Sequence, residues 1–142
     1  MTSQLTVKNS TEINAPVSKV WEILIAPKYI RQWDELPQDF EDYYLEKGRT
    51  IEWSGSSKLT VTDCEPHQLL RLSLYALKWE LPPSNYDIAY AYSLQEIDGV
   101  CVLNVEIGDF SILPDGENYC VKAQEFAEKA LQKIKNLSEN RL

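Results

Sequence analysis

INAPVSKVWEILIAPKYIRQW, residues 13–33, contains two prolines that divide one apolar stretch into two parts. Pro16 suits the first turn of a helix, where a missing backbone N–H costs nothing. The apolar residues that follow it recur at steps of three and four, as on one face of an amphipathic helix. Pro27 would remove a hydrogen bond from a helix interior, so it begins a second helix instead. We predict a strand and then two helices: 5–13, 16–25 and about 27–34.

The middle of the chain alternates apolar and polar residues with the period of two that is typical of β-strands. The alternation predicts strands at 39–45, 49–54, 57–65, 69–79, 86–95 and 100–110. Asp98-Gly99, before the last of them, is a strong hairpin signal because a tight turn there needs positive φ angles. Short turns separate the segments, apart from a loop at Leu81–Ser84, so we expect an antiparallel, meandering sheet.

The C-terminal segment 117–137 has the period of a helix. Its apolar stripe consists of Tyr119, Ala123, Phe126, Ala130, Ile134 and Leu137. Asp115 is a candidate N-cap for this helix. Leu70, Leu72 and Leu74 share one parity of their strand, so one face of the sheet is apolar and must be covered. We expect the helix to cover it.

The length and charge of the chain limit its class. A chain of 142 residues predicts a single domain, 1–142, with a frayed tail from about 138. The net charge of −8, without a lysine or arginine cluster, argues against nucleic acid and against an anionic membrane surface. No apolar run approaches the ~20 residues that span a bilayer, and no secretory signal is evident. Three widely spaced cysteines suit a reducing compartment, so we expect a cytoplasmic protein.

The order of strand, two short helices, antiparallel strands and one long helix resembles the START-like superfamily. Within it, the sequence is most similar to the branch of the activator of Hsp90 ATPase C-terminal domain. Three motifs carry the resemblance: Ala15-Pro16 with Val20-Trp21, Pro27 with Trp33, and Asp98-Gly99. It covers essentially the whole chain and implies an α+β helix-grip fold. That fold is a curved antiparallel sheet of six or seven strands around a long C-terminal helix, with two short helices after strand 1.

Residue types that carry chemistry are sparse. His67 is the single histidine, so neither a Ser-His-Asp triad nor a multi-histidine metal site forms without it. Cys64 and His67 supply two of the four ligands that a structural zinc site needs. Cys101 and Cys120 are interpreted as small buried hydrophobes. The sequence therefore predicts no catalytic residue, no metal site and no cofactor.

An acidic stretch follows the second predicted helix. Its carboxylates are Asp34, Glu35, Asp39, Glu41 and Asp42. A pair of them could do acid–base chemistry if burial separated their pKa values. We interpret the stretch as a solvated acidic loop.

The aromatic residues give the positive functional signal, with 4 Trp, 8 Tyr and 3 Phe in a small chain. Eight rings are candidates for the space between sheet and helix: Trp33, Phe40, Tyr44, Trp53, Tyr90, Tyr92, Phe110 and Phe126. Rings that bury roughly 150–250 Å² each could fill that space completely. The alternative is a cavity in which a ligand or water pairs with a buried tyrosine hydroxyl.

The resemblance implies that this space is a cavity, which in many START-like proteins binds apolar or aromatic molecules. We therefore expect a non-enzymatic binding or carrier protein for a small apolar or aromatic molecule. An interaction module with a chaperone partner, as in the Hsp90 activator branch, is the alternative, and a cyclase or hydratase type of enzyme is a third. Either a monomer or a homodimer is compatible with these readings.

Overall fold

The computed structural model describes residues 5–34, 36–38, 40–53, 57–76 and 88–139. The strands in these ranges are β1 (Val7–Ile13), β2 (Thr50–Trp53), β3 (Ser57–Glu65), β4 (Leu69–Ala76), β5 (Ala89–Ile97) and β6 (Val100–Gly108). The helices are α1 (Val17–Ile25), α2 (Pro27–Trp33) and α3 (Gly116–Ser138), and a short 3-10 helix, Phe110–Ile112, precedes α3. The predicted loop at 81–84 lies outside the described residues, as do the predicted strand ends at 54, 77–79 and 86–87.

The strands form one antiparallel sheet in the order β1-β6-β5-β4-β3-β2. All neighbours except β1 and β6 are consecutive in the chain. The strands β2 to β6 therefore form a meander, and β1 pairs with β6 as an edge strand. Its register places Leu70 opposite Tyr92 and Tyr92 opposite Val105. The residues predicted to share one parity therefore share one face of the sheet, as expected.

Two turns confirm what the sequence indicated. Asp98 and Gly99 join β5 to β6 with φ angles of 51° and 80°, the paired positive values of the favoured two-residue hairpin turn. The break between α1 and α2 lies at Ala26, and Pro27 is the first residue of α2. Pro16 stands at the cap position just before α1 rather than inside its first turn.

The predicted strand at 39–45 is wrong for the residues that the structure describes, since 40–45 form an irregular loop. Its backbone is held by arginine side chains instead of a partner strand. The guanidinium of Arg49 donates to the carbonyls of Tyr43 and Glu41, and that of Arg31 donates to the carbonyl of Phe40. The alternating pattern was misleading here because both Tyr43 and Tyr44 point to solvent, with exposures of 52% and 54%.

Helix α3 lies across the sheet and packs against β1 and β6. Small residues on its inner face, Ala127 and Ala130, are buried and allow this close approach. Asp115 occupies the N-cap position but makes no side-chain capping bond. At the other end Ser138 is buried, and the Glu139 carboxylate accepts from the Asn14 backbone N–H at 2.8 Å. Residues 140–142 of the expected frayed tail lie outside the described part.

Candidate ligand-binding cavity

A cavity of about 830 Å³ lies between the sheet and α3. Volumes of roughly 300–1,000 Å³ are usual for small-molecule sites. It occupies the β2–β5 half of the sheet, whereas α3 covers the β1 and β6 half directly. The aromatic rings therefore leave space open instead of filling it.

The walls of the cavity are mostly apolar. The sheet contributes Ile51, Trp53, Leu59, Leu70, Leu72, Leu74, Ala76, Tyr90 and Tyr92. The helices contribute Leu24, Ile30, Trp33, Phe110, Tyr119, Ala123 and Phe126, and the loop after α2 contributes Leu36 and Leu45. Among the described residues, the polar side chains in the wall, apart from the tyrosines, are those of Asp34, Ser57 and Lys122. Such a lining suits burial of an apolar molecule with a few points of polar contact.

The structure brings six of the eight candidate aromatic residues to this wall: Trp33, Trp53, Tyr90, Tyr92, Phe110 and Phe126. Phe40 and Tyr44 lie outside it. The Phe40 ring lies 3.9 Å from the guanidinium carbon of Arg49, and the Tyr44 hydroxyl donates to Glu22 at 2.9 Å on the surface. Both residues belong to the loop that replaced the predicted strand. Tyr44 is exposed, and Phe40 packs against the edge of the core without lining the cavity.

Tyr92 is the most buried of the described tyrosines in the wall, only 3% exposed. The Trp33 ring contacts the Tyr92 ring edge-on, with 5.8 Å between centroids. Tyr90 is braced in the same way by Phe126, at 5.6 Å. These contacts hold both phenols in place. Burial raises the pKa of Tyr90 to about 12 and that of Tyr92 well above its ordinary value, so both hydroxyls stay protonated at neutral pH.

Asp34 is the residue whose place the sequence misjudged. It was expected in a solvated acidic loop, but it follows the last residue of α2 and lines the cavity. After burial, its charge is the next cause of the raised pKa of both Tyr90 and Tyr92. Glu41 and Asp42 are exposed, as expected, whereas Glu35 and Asp39 lie outside the described residues. The sequence feature that could have indicated this position is that Asp34 directly follows Trp33, which was itself predicted to lie between the sheet and the helix.

Lys122 was not predicted either. It lies on α3, three residues after Tyr119 and four before Phe126, which is the spacing of one helical face. Its side chain borders the cavity while the residue remains exposed to solvent. The spacing could have revealed it, but the sequence offered no reason to prefer the cavity to the surface.

The other candidate residues stay away from this site. His67 is exposed in the turn between β3 and β4. Burial raises the pKa of Cys64 and Cys101, which keeps them as thiols at neutral pH. Cys101 is fully buried, and Cys120 is half-buried rather than buried. Within the described ranges, no three His, Cys, Asp or Glu side chains are grouped to hold a metal ion. None of the helices there combines the length and apolar character needed to cross a bilayer.

No family model matches the chain, and no curated protein does so either. Solved structures do match it over almost its whole length. The Aha1 dimer from Colwellia psychrerythraea superposes with a TM-score of 0.71 at 14% identity, covering 94% of this chain and 96% of that one. Protein MLL2253 from Mesorhizobium loti gives 0.74 at 21% identity, with coverages of 95% and 97%. CalU16 from Micromonospora echinospora gives 0.69 at 21% identity, with coverages of 93% and 73%.

The chain has the helix-grip fold. The curved antiparallel sheet, the two short helices after β1 and the long C-terminal helix all match these neighbours. This agrees with the fold that the START-like resemblance implied. At such low identities the likeness concerns the fold, so the function has to be argued from the cavity.

Proposed function

We propose that this protein binds a small apolar or aromatic molecule in the cavity between the sheet and α3, without catalysing a reaction. The observation that carries the proposal is an 830 Å³ cavity whose wall is built from leucine, isoleucine and aromatic side chains. Removing apolar ligand surface from water contributes about 25 cal/mol per Å² before the costs of association. We further propose that Trp33, Trp53, Tyr90, Tyr92, Phe110 and Phe126 contact the ligand.

The proposal is tested by native mass spectrometry of freshly purified protein, followed by solvent extraction of any adduct. A reproducible adduct of a few hundred daltons supports it, as does saturable quenching of tryptophan fluorescence by an apolar probe. A bare mass together with no fluorescence response to such probes would contradict it.

A cavity-filling variant makes the test specific. Ala123 lines the cavity from α3 and is buried, so Ala123→Phe should occupy part of the volume and weaken binding by about tenfold or more. Val121→Phe is the matched control, because Val121 lies on the same helix with 60% exposure and outside the wall. Equal binding by both variants would place the ligand elsewhere.

The alternative function is a protein-interaction module like the Hsp90 ATPase activator. The exposed neighbours Tyr43 and Tyr44 favour it, because adjacent exposed aromatic residues are enriched at interfaces. The test is the ATPase rate of a purified Hsp90 chaperone with and without this protein. Stimulation that is lost in Tyr43→Ser/Tyr44→Ser and kept in Ala123→Phe would favour the surface over the cavity.

We also propose that residues 1–142 act as one domain in the cytoplasm, as a monomer or a homodimer. Buried residues from the sheet and all three α-helices join one hydrophobic core, which supports a single domain. Three free cysteines suit a reducing compartment. Light scattering during size-exclusion chromatography separates monomer from dimer.

A further inference from the structure

The cavity wall contains a hydrogen-bond donor, the hydroxyl of Tyr92, for which the described residues supply no acceptor. Tyr92 is 97% removed from solvent and lines the cavity, and no hydrogen bond among the described residues involves its hydroxyl. The neighbouring indole N–H of Trp33 is already committed to the Ile23 carbonyl, at 2.9 Å. A ligand atom that accepts from this hydroxyl gains a hydrogen bond in a site removed from bulk water, and with it affinity.

The sign of the nearby charge restricts what that ligand atom can be. Asp34 directly follows Trp33, whose ring contacts the Tyr92 ring with 5.8 Å between centroids, and Asp34 and Tyr92 both line the cavity. After burial, the charge of Asp34 is the next cause of the raised pKa of Tyr92. An anionic ligand group placed there would lose its hydration and meet a like charge. A neutral acceptor, such as a carbonyl or ether oxygen, meets neither penalty.

Lys122 does not reverse this preference. Its side chain borders the cavity from α3, but the residue is exposed to solvent, and water screens the charge of an exposed ammonium group. We call the part of the wall around Tyr92 and Asp34 the buried end. Tyr92 is 3% exposed and Asp34 is half-buried, so a charge there is less screened than one at Lys122.

We propose that the ligand of this cavity is an uncharged molecule whose oxygen accepts a hydrogen bond from the Tyr92 hydroxyl, and that Asp34 excludes anionic analogues. This inference rests on the proposed function and adds the class of ligand to it. Fatty acids and aromatic acids are thereby excluded from the buried end, whereas aromatic or alicyclic ketones and ethers fit it.

Three probes of one ring size test this proposal: 2-acetylnaphthalene, 2-ethylnaphthalene and 2-naphthoate, titrated near neutral pH with tryptophan fluorescence as the readout. The ketone should bind best and the carboxylate at least tenfold more weakly. Tyr92→Phe should weaken the ketone about tenfold and leave ethylnaphthalene unchanged. Asp34→Asn should strengthen naphthoate and change the other two little.

The outcomes separate this inference from the proposed function. If ethylnaphthalene and the ketone both fail to bind the wild-type protein, the cavity is not a ligand site and both proposals fall. If ethylnaphthalene binds but naphthoate binds as well as the ketone, the function stands and the neutral-ligand inference is wrong. Tighter binding of naphthoate that is lost in Lys122→Gln would also overturn it, by placing the polar group at the α3 side.

Discussion

The indole N–H of Trp33 donates a hydrogen bond to the backbone carbonyl of Ile23, at 2.9 Å. In an uninterrupted helix that carbonyl would accept from the residue four positions later, which here is Pro27 and has no N–H. Trp33 therefore supplies the donor that the proline removed. The same bond orients the indole so that its ring meets Tyr92 edge-on in the cavity wall. The break between the two short helices and the shape of the cavity are thus linked through one side chain.

Replacing Trp33 by phenylalanine should destabilise the protein by roughly 2–4 kcal/mol, because the buried Ile23 carbonyl loses its donor and the smaller ring leaves a void. Denaturation by urea measures the change in the free energy of unfolding. Trp53→Phe is the control, since Trp53 is a half-buried residue of the same cavity wall and should cost less than about 1.5 kcal/mol. Equal costs would show that the bond to Ile23 contributes nothing.

Arg49→Lys should loosen the loop around residues 40–45 while changing global stability by less than about 1 kcal/mol. The guanidinium of Arg49 stacks on the rings of Phe40 and Tyr43, 3.9 and 3.6 Å from their centroids, and also donates to backbone carbonyls. A lysine cannot reproduce this planar arrangement. Hydrogen exchange measured by mass spectrometry should show faster exchange in peptides that cover the loop.

The control for this experiment is Lys47→Arg, because Lys47 is an exposed residue of the same connection. Since Leu45 is the last residue of the loop and lines the cavity, Arg49→Lys should also speed the release of a bound probe. Unchanged exchange in the loop would mean that Arg49 does not hold it.

Stability should fall as the pH rises above about 10. Burial raises the pKa of Tyr90 from 10.0 to about 12, and it also raises that of Tyr92 well above its ordinary value. Above pH 10 the unfolded chain loses phenolic protons that the folded protein keeps, so unfolding becomes easier by about 1.4 kcal/mol per pH unit for each such group. Below pH 10 both states are protonated at these residues, so they add no slope.

Urea denaturation at several values between about pH 9 and 11.5 measures this slope. Tyr90→Phe should reduce it by about 1.4 kcal/mol per pH unit, whereas Tyr43→Phe, at an exposed residue, should leave it unchanged. An identical slope in wild type and Tyr90→Phe would argue against burial of this hydroxyl.

Gly116→Ala and Gly99→Ala should both lower the free energy of unfolding, by different amounts and for different physical reasons. A Cβ atom at Gly116 would lie 2.1 Å from the Phe110 carbonyl oxygen, which forces the start of α3 away from the 3-10 helix. We expect a loss of about 3 kcal/mol or more in the free energy of unfolding. At Gly99 the space is open and the φ angle of +80° supplies the cost, about 1–2 kcal/mol.

Gly99→Asn separates the two causes, because asparagine tolerates the left-handed region and should recover most of the loss at that position. Thermal denaturation of the variants measures all three effects. A larger loss at Gly99 than at Gly116 would contradict the steric argument.

The parts of the fold that could be predicted are those that depend on near neighbours in the chain. Pro27 restarts a helix because of its own missing N–H, and Asp98-Gly99 turns the chain because of its own φ preferences. The shared parity of Leu70, Leu72 and Tyr92 predicted one apolar sheet face, since side-chain direction in a strand alternates regardless of what covers it.

Prediction failed where side chains, and not a neighbouring strand, supply the hydrogen-bond partners of the backbone. Residues 40–45 alternate like a strand, yet their carbonyls are bound by the side chains of Arg31 and Arg49, and periodicity carries no information about that. The inward position of Asp34 likewise depends on where α2 ends against the sheet.

By itself, then, the sequence determined the order of the elements and which face of the sheet is apolar, because these follow from backbone chemistry and from periods of 2 and 3.6 residues. The tertiary structure alone decided that α3 contacts β1 and β6 closely while about 830 Å³ stays open over β2–β5. That division arises because small residues such as Ala127 let the helix approach one half of the sheet, while the rings of Tyr90 and Phe126 hold it away from the other. Packing distances of this kind are set by pairs of side chains that the sequence does not connect.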